Sequence, residues 1–230
     1  MQEKMLEELT MAELAAAHLD INDLGYPLRQ GYLRSCVGGL IAEITQARGN
    51  QRTRIFSPLF GSFALLDQLG SSYINLSMPA FSNDEASGVK KALYYFCDVA
   101  DDSDEINALY GLRNSLVHDA SLLSRGREKK GKWLGPFHHF IFGADIPSAV
   151  EFPPAPWDGN LETLSNTNRT KVNQRVLSDM AINAVRRARQ LLDEGNLGFC
   201  LEKEIEMYYR YLFHFNPSSS SDADEDGEEP

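Results

Sequence analysis

Leu109-Tyr110-Gly111-Leu112-Arg113-Asn114-Ser115-Leu116-Val117-His118-Asp119 sets an arginine five residues before a histidine within a helical pattern of apolar positions. Wound at about 100° per residue with Arg113 at zero, the segment separates into two faces. Leu109, Leu112, Leu116, Ala120 and Leu123 fall between about 260° and 340°, a stripe of ordinary width for a core-facing helix. Asn107, Tyr110, Asn114, His118, Ser121 and Arg125 fall between about 60° and 140°, a stripe of hydrogen-bonding groups. Arg113 and Val117 lie at the seam. The helix is predicted to start at Asp102, because Glu105 three residues on completes a capping box and Asp104 adds negative charge at the positive end of the dipole.

The chemistry of the polar face follows from its residue types. Arginine is a permanent cation that grips phosphate with a fork of donors, and histidine moves protons near neutral pH. Given the arginines and five histidines of this chain, the bare spacing is expected by chance about 0.3 times. The setting, an amphipathic helix with an opposed polar stripe, is what makes the pair a site.

Arg113-Asn114-Ser115-Leu116-Val117-His118 resembles the signature of HEPN domains, in which an arginine followed by a polar residue precedes a histidine near the end of a helix. Arg113, Asn114 and His118 match that pattern, and the resemblance spans about residues 104 to 123. It implies a mainly α fold, a HEPN-like helical bundle, in which a homodimer brings two copies of the motif together for metal-independent RNA cleavage. It also implies toxin-like relatives held in check by an antitoxin or other regulatory protein.

Around this helix the chain reads as further helices. Residues 2 to 18 form a first helical pattern, 30 to 48 a second that contains Gly38-Gly39, and Pro58 to Gly70 a third, apolar almost all round and therefore central. A fourth starts at Asn83-Asp84-Glu85, a fifth pattern covers 171 to 194, and a last helix is expected over about 197 to 213. Between the motif and the fifth pattern the character changes. Trp133 to Phe142 alternates as a strand, with Val150-Glu151-Phe152 as its partner, which places a small β-hairpin insertion at about 132–153. The domain so defined runs from 1 to 216. Residues 217–230, four serines and six acids with almost no apolar residues, are expected to be a disordered acidic tail.

Removing those six acids from a net charge of −11 leaves −5 for the body, a poor advertisement for nucleic acid. Positive charge is nevertheless clustered after the motif, where Arg125, Arg127, Lys129 and Lys130 are the candidate RNA-binding residues, with a further basic group at Arg186, Arg187 and Arg189. No apolar run approaches the roughly 18 residues of a membrane span, and the acidic amino-terminal stretch is unlike a signal peptide, so a soluble cytoplasmic protein with no membrane partner is expected. Cys36, Cys97 and Cys200 sit in apolar surroundings and read as buried thiols. His138-His139 reads as strand packing, because neighbours in a strand face opposite sides, so no metal and no cofactor is assigned.

The catalytic candidates are thus Arg113, Asn114 and His118. The reaction they suit is attack of an RNA 2′-hydroxyl on the adjacent phosphate, with His118 moving the proton, Arg113 holding the phosphate and Asn114 orienting the histidine or binding a nonbridging oxygen. Because the two charged residues diverge by about 140° around one helix, closing both on one phosphate is expected to need two facing copies. The competing reading is a catalytically silent dimerisation or partner-binding module in which the motif fixes the dimer interface; the bland reading of the pair itself has Arg113 paired to a carboxylate on an adjacent helix and His118 capping or solvating the helix end.

Overall fold

The computed structural model describes residues 3–129 and 132–216. After a 3-10 turn at Leu6–Glu8 the first elements are α1 (Met11–His18), β1 (Tyr26–Pro27), β2 (Tyr32–Ser35), α2 (Cys36–Arg48), α3 (Phe56–Ser72) and β3 (Tyr73–Asn75). Then follow α4 (Gly88–Cys97), α5 (Asp104–Asp119), β4 (Leu123–Ser124), β5 (Arg127–Lys129), β6 (Lys132–Leu134), β7 (His138–Phe142) and β8 (Val150–Glu151). The chain closes with β9 (Arg169–Val172), α6 (Gln174–Asp193), β10 (Leu197–Phe199), α7 (Glu204–Tyr211) and β11 (Leu212–Phe215).

The contacts divide the chain into two compact units, one made of the residues up to Leu40 with those from Leu201 onward, the other of Ile41–Cys200. In the first, β1, β2 and β11 form an antiparallel sheet and α1 packs on α7 and β2. Thr10 caps α1 reciprocally: its hydroxyl accepts from the Glu13 amide while the Glu13 carboxylate accepts from the Thr10 amide. His18 is fully buried there, stacked on Tyr211 at 4.7 Å.

In the second unit the core is built on α3, whose Leu59, Phe63, Leu65, Leu66 and Leu69 are all buried, as the run of apolar residues requires. Its principal partners are α4 and α6. The α3–α4 contact is made by backbone. A Cβ on Gly70 would lie 1.9 Å from the Gly88 carbonyl oxygen, and one on Gly88 would lie 2.3 Å from the Asp67 carbonyl oxygen. Glycine is needed at both positions because nothing larger lets the two chains approach so closely. α5 packs against α3 and α4 on one side and against β4, β7 and β8 on the other.

The expected fold class needs correction. The helices are mainly where the periodicity places them, but among the described residues there are also eleven strands in four sheets, far more than a small β-hairpin insertion in a helical bundle. The additional strands are short, and three of them fall within or at the end of helical patterns. Tyr32–Ser35 lies within the second pattern, and Leu197–Phe199 and Leu212–Phe215 lie in what reads as one final helix. The insertion is also wired differently. β7 pairs in parallel with β9, outside the expected 132–153 span, and β8 pairs antiparallel with β9 rather than with β7. The resulting sheet has the order β4-β7-β9-β8. Parallel pairing is a long-range contact that local alternation cannot reveal. The continuous strand expected over Trp133 to Phe142 is broken at Gly135-Pro136 into β6 and β7, with β6 paired to β5 instead. The acidic tail, 217–230, lies outside the described residues.

Candidate functional site

The motif helix begins one residue later than its sequence suggests. Asp102 adopts a left-handed conformation (φ 56°), and the Ser103 hydroxyl accepts from the Ile106 amide at 3.2 Å, so Ser103 caps α5 with Asp104 and Glu105 in the first turn. The other end closes at Ala120, also left-handed (φ 48°), where the Ala120 amide reaches the Leu116 carbonyl and the Ser121 amide the Ser115 carbonyl. Leu109, Leu112 and Leu116 are buried as expected, whereas Ala120 is exposed beyond the helix end.

Arg113 lies at the centre of the site. Its Nη2 donates to Asp67 Oδ2 of α3 at 2.7 Å, its Nη1 donates to Asn114 Oδ1 at 3.1 Å, and the same Nη1 lies 3.3 Å from His118 Nε2. The three expected catalytic residues therefore meet within one chain. The 140° separation of Arg113 and His118 is spanned within one chain, so their divergence around the helix does not by itself require two facing copies. Arginine can only donate, so a hydrogen bond across this contact requires the imidazole tautomer whose Nε2 accepts. His118 is exposed, while Arg113, Asn114 and Asp67 are half-buried.

Asp67 was not among the sequence-derived candidates. Its signal is that it is the one charged residue of α3, set in an otherwise apolar or uncharged helix. A carboxylate kept in such a helix needs partners, and Asp67 has two, since its Oδ1 also accepts from the Val89 amide at the start of α4 at 3.2 Å.

The polar stripe read from the sequence lines two adjoining concavities along α5. One, of about 580 Å3, holds Arg113, Asn114, His118, Ser121 and Arg125. The other, of about 570 Å3, holds Asn107, Tyr110 and Asn114 together with Lys90 of α4. Tyr110, Asn114, Ser124 and Gly126 line both, so they form one groove. Arg125 is thereby brought beside the motif. Arg127 and Lys129 lie on β5, their side chains outside the described residues, as is Lys130. Arg186 and Arg189 lie on α6, hydrogen-bonded to Asn183 and paired with Asp193 respectively, and contribute nothing to this groove.

His138 sits beneath the helix. A Cβ on Gly111 would be 3.0 Å from Ser124 Oγ and 3.8 Å from His138 Cδ2, so the glycine lets α5 settle on the sheet. The His138 ring is buried, stacks on Phe140 and has Nδ1 3.1 Å from Thr170 Oγ1. Burial lowers its pKa to about 4, with Asp104 opposing, so it is neutral at physiological pH. Among the described residues no three His, Cys, Asp or Glu side chains come together as a metal site. No disulfide joins the three cysteines; Cys36 and Cys97 are half-buried and Cys200 is exposed, where three buried thiols are expected. None of the helices described is long and apolar enough to cross a membrane. Comparison with known protein families, with curated proteins and with solved structures finds no match for this chain.

Proposed function

We propose that the groove along α5 is a metal-independent endoribonuclease site. The observation that carries the proposal is the convergence of Arg113, Asn114 and an exposed His118 whose Nε2 faces the guanidinium. The HEPN-like motif supports the reading at the level of these residues. A phosphate entering the groove takes donors from Arg113 Nη1 and releases His118 Nε2 from that contact. The imidazole then accepts the proton of the ribose 2′-hydroxyl as O2′ bonds to phosphorus. The P–O5′ bond breaks, and the imidazolium returns the proton to O5′, leaving a 2′,3′-cyclic phosphate and a 5′-hydroxyl. Arg113 stabilises the charge accumulating on the nonbridging oxygens. Asn114 holds the guanidinium through Oδ1 and keeps its amide donors for the phosphate.

The Asp67–Arg113 ion pair favours a second reading, a catalytically silent dimerisation or partner-binding module in which Arg113 joins α3 to α5. Cleavage of single-stranded RNA in excess chelator separates the two. The wild-type protein should yield cyclic-phosphate ends, and His118→Ala should lower the rate by at least about 100-fold with its circular dichroism unchanged. Equal rates in the two proteins would sink the nuclease assignment, and an inactive wild type would leave the silent module. A homodimer, and an antitoxin or other regulatory partner covering the groove, belong to the same proposal through the motif alone.

A further inference from the structure

We infer that the groove extends from the Arg113–His118 centre to a second phosphate subsite at Lys90, so that the substrate is a single strand held across more than one nucleotide. The inference rests on the reading of the groove as an RNA site. Lys90 Nζ donates to Asn107 Oδ1 at 2.7 Å and lies 5.1 Å from the centroid of the Tyr110 ring. Among the described residues it has no carboxylate partner. A neutral amide and an aromatic face orient the ammonium without neutralising it, so it keeps its full charge for an anion. Beside it, Ser87 stands at the start of α4 and lines the same concavity at the positive end of the helix; its hydroxyl is buried, does not cap the helix and has no hydrogen-bond partner among the described residues. Among the described residues, the only carboxylate lining this part of the groove is the exposed Glu85.

The spacing makes this a separate subsite. Asn107, which holds Lys90, and Asn114, which holds Arg113, are two turns apart on one face of α5, roughly 11 Å. One phosphate does not span that distance, whereas successive phosphates of an extended strand do. A lysine is a point charge that reads no base edge, so the subsite should strengthen binding without setting sequence preference.

The test is binding of a short fluorescein-labelled 2′-O-methyl RNA, which lacks the nucleophile and reports affinity apart from cleavage. Lys90→Gln should weaken binding by roughly 3- to 10-fold and reduce the slope of log K against log salt by about 0.7, the value for one phosphate contact on a single strand. Lys90→Arg should retain both. Asn107→Asp, which neutralises the ammonium while leaving Lys90 in place, should match Lys90→Gln and decides the matter if that variant fails to fold. Wild-type affinity and salt slope in both Lys90→Gln and Asn107→Asp would overturn the subsite even if the protein cleaves RNA. A charge-dependent loss in a protein that binds but does not cleave would uphold the subsite and reject the nuclease. No binding by the wild type would reject both.

Discussion

Asp67 joins its carboxylate to Arg113 at 2.7 Å across the α3–α5 contact, while its other oxygen accepts the Val89 amide at the start of α4. One side chain thus fixes three helices and sets the edge from which the guanidinium faces the groove. Its position depends on the Gly70–Gly88 contact, since that close approach brings the end of α4 within reach of Asp67 Oδ1.

Asp67→Asn retains an acceptor for Val89 but removes the charge that orients Arg113. The fold should be kept within about 1 kcal/mol, while cleavage falls about tenfold, in kcat rather than in KM. Asp67→Glu should recover part of the rate. Asp67→Ala, which leaves the Val89 amide without its partner, should cost about 1–3 kcal/mol by urea denaturation. Full activity in Asp67→Asn would show that Arg113 does not need this carboxylate for its orientation.

Two glycine substitutions should have opposite signs. Gly70→Ala places a methyl 1.9 Å from the Gly88 carbonyl oxygen, which requires α3 and α4 to separate, and should destabilise by about 3 kcal/mol or unfold the protein. Gly39→Ala lies within α2 with nothing inside 4 Å of the new methyl, and should stabilise by about 0.5–1 kcal/mol. Thermal midpoints of the two variants check both.

The pH dependence of stability should carry a contribution from His138. Burial lowers its folded pKa to about 4 from an ordinary 6.5, with Asp104 pulling the other way. Its neighbour His139 is lowered too, by burial and by Arg169. Between pH 4 and 6.5 the unfolded chain binds the proton and the folded chain does not, so stability is full above pH 6.5 and declines as the pH falls towards 4. The slope is up to about 1.4 kcal/mol per pH unit for one such group. Denaturation midpoints of His138→Gln should fall less steeply over this window than those of the wild type. Parallel profiles would show that the buried ring does not carry the effect.

Because Arg113 and His118 meet in one chain, mixing inactive Arg113→Ala and His118→Ala proteins should not restore cleavage, and the rate per chain should not depend on protein concentration. Recovery in mixtures whose subunits are shown to exchange would restore the requirement for two facing copies.

The sequence by itself determined the motif helix, its two faces and the central apolar α3, because a 3.6-residue period and a run of leucines report directly which side is buried. It also determined which side chains, Asn107, Tyr110, Asn114 and His118, share a polar face. Tertiary structure decided what that face meets. Asp67 comes to Arg113 from α3, and Lys90 and Ser124 come to the groove from α4 and β4, and nothing local in the sequence records those contacts. The same holds for the sheets, since β7 pairs with β9 across 30 residues and β11 with β2 across most of the chain. Tertiary structure also reversed one inference drawn from the helical wheel. A wheel fixes the direction of each Cβ but not the reach of an arginine, and the pull of Asp67 and Asn114 on the guanidinium is what leaves Arg113 beside His118.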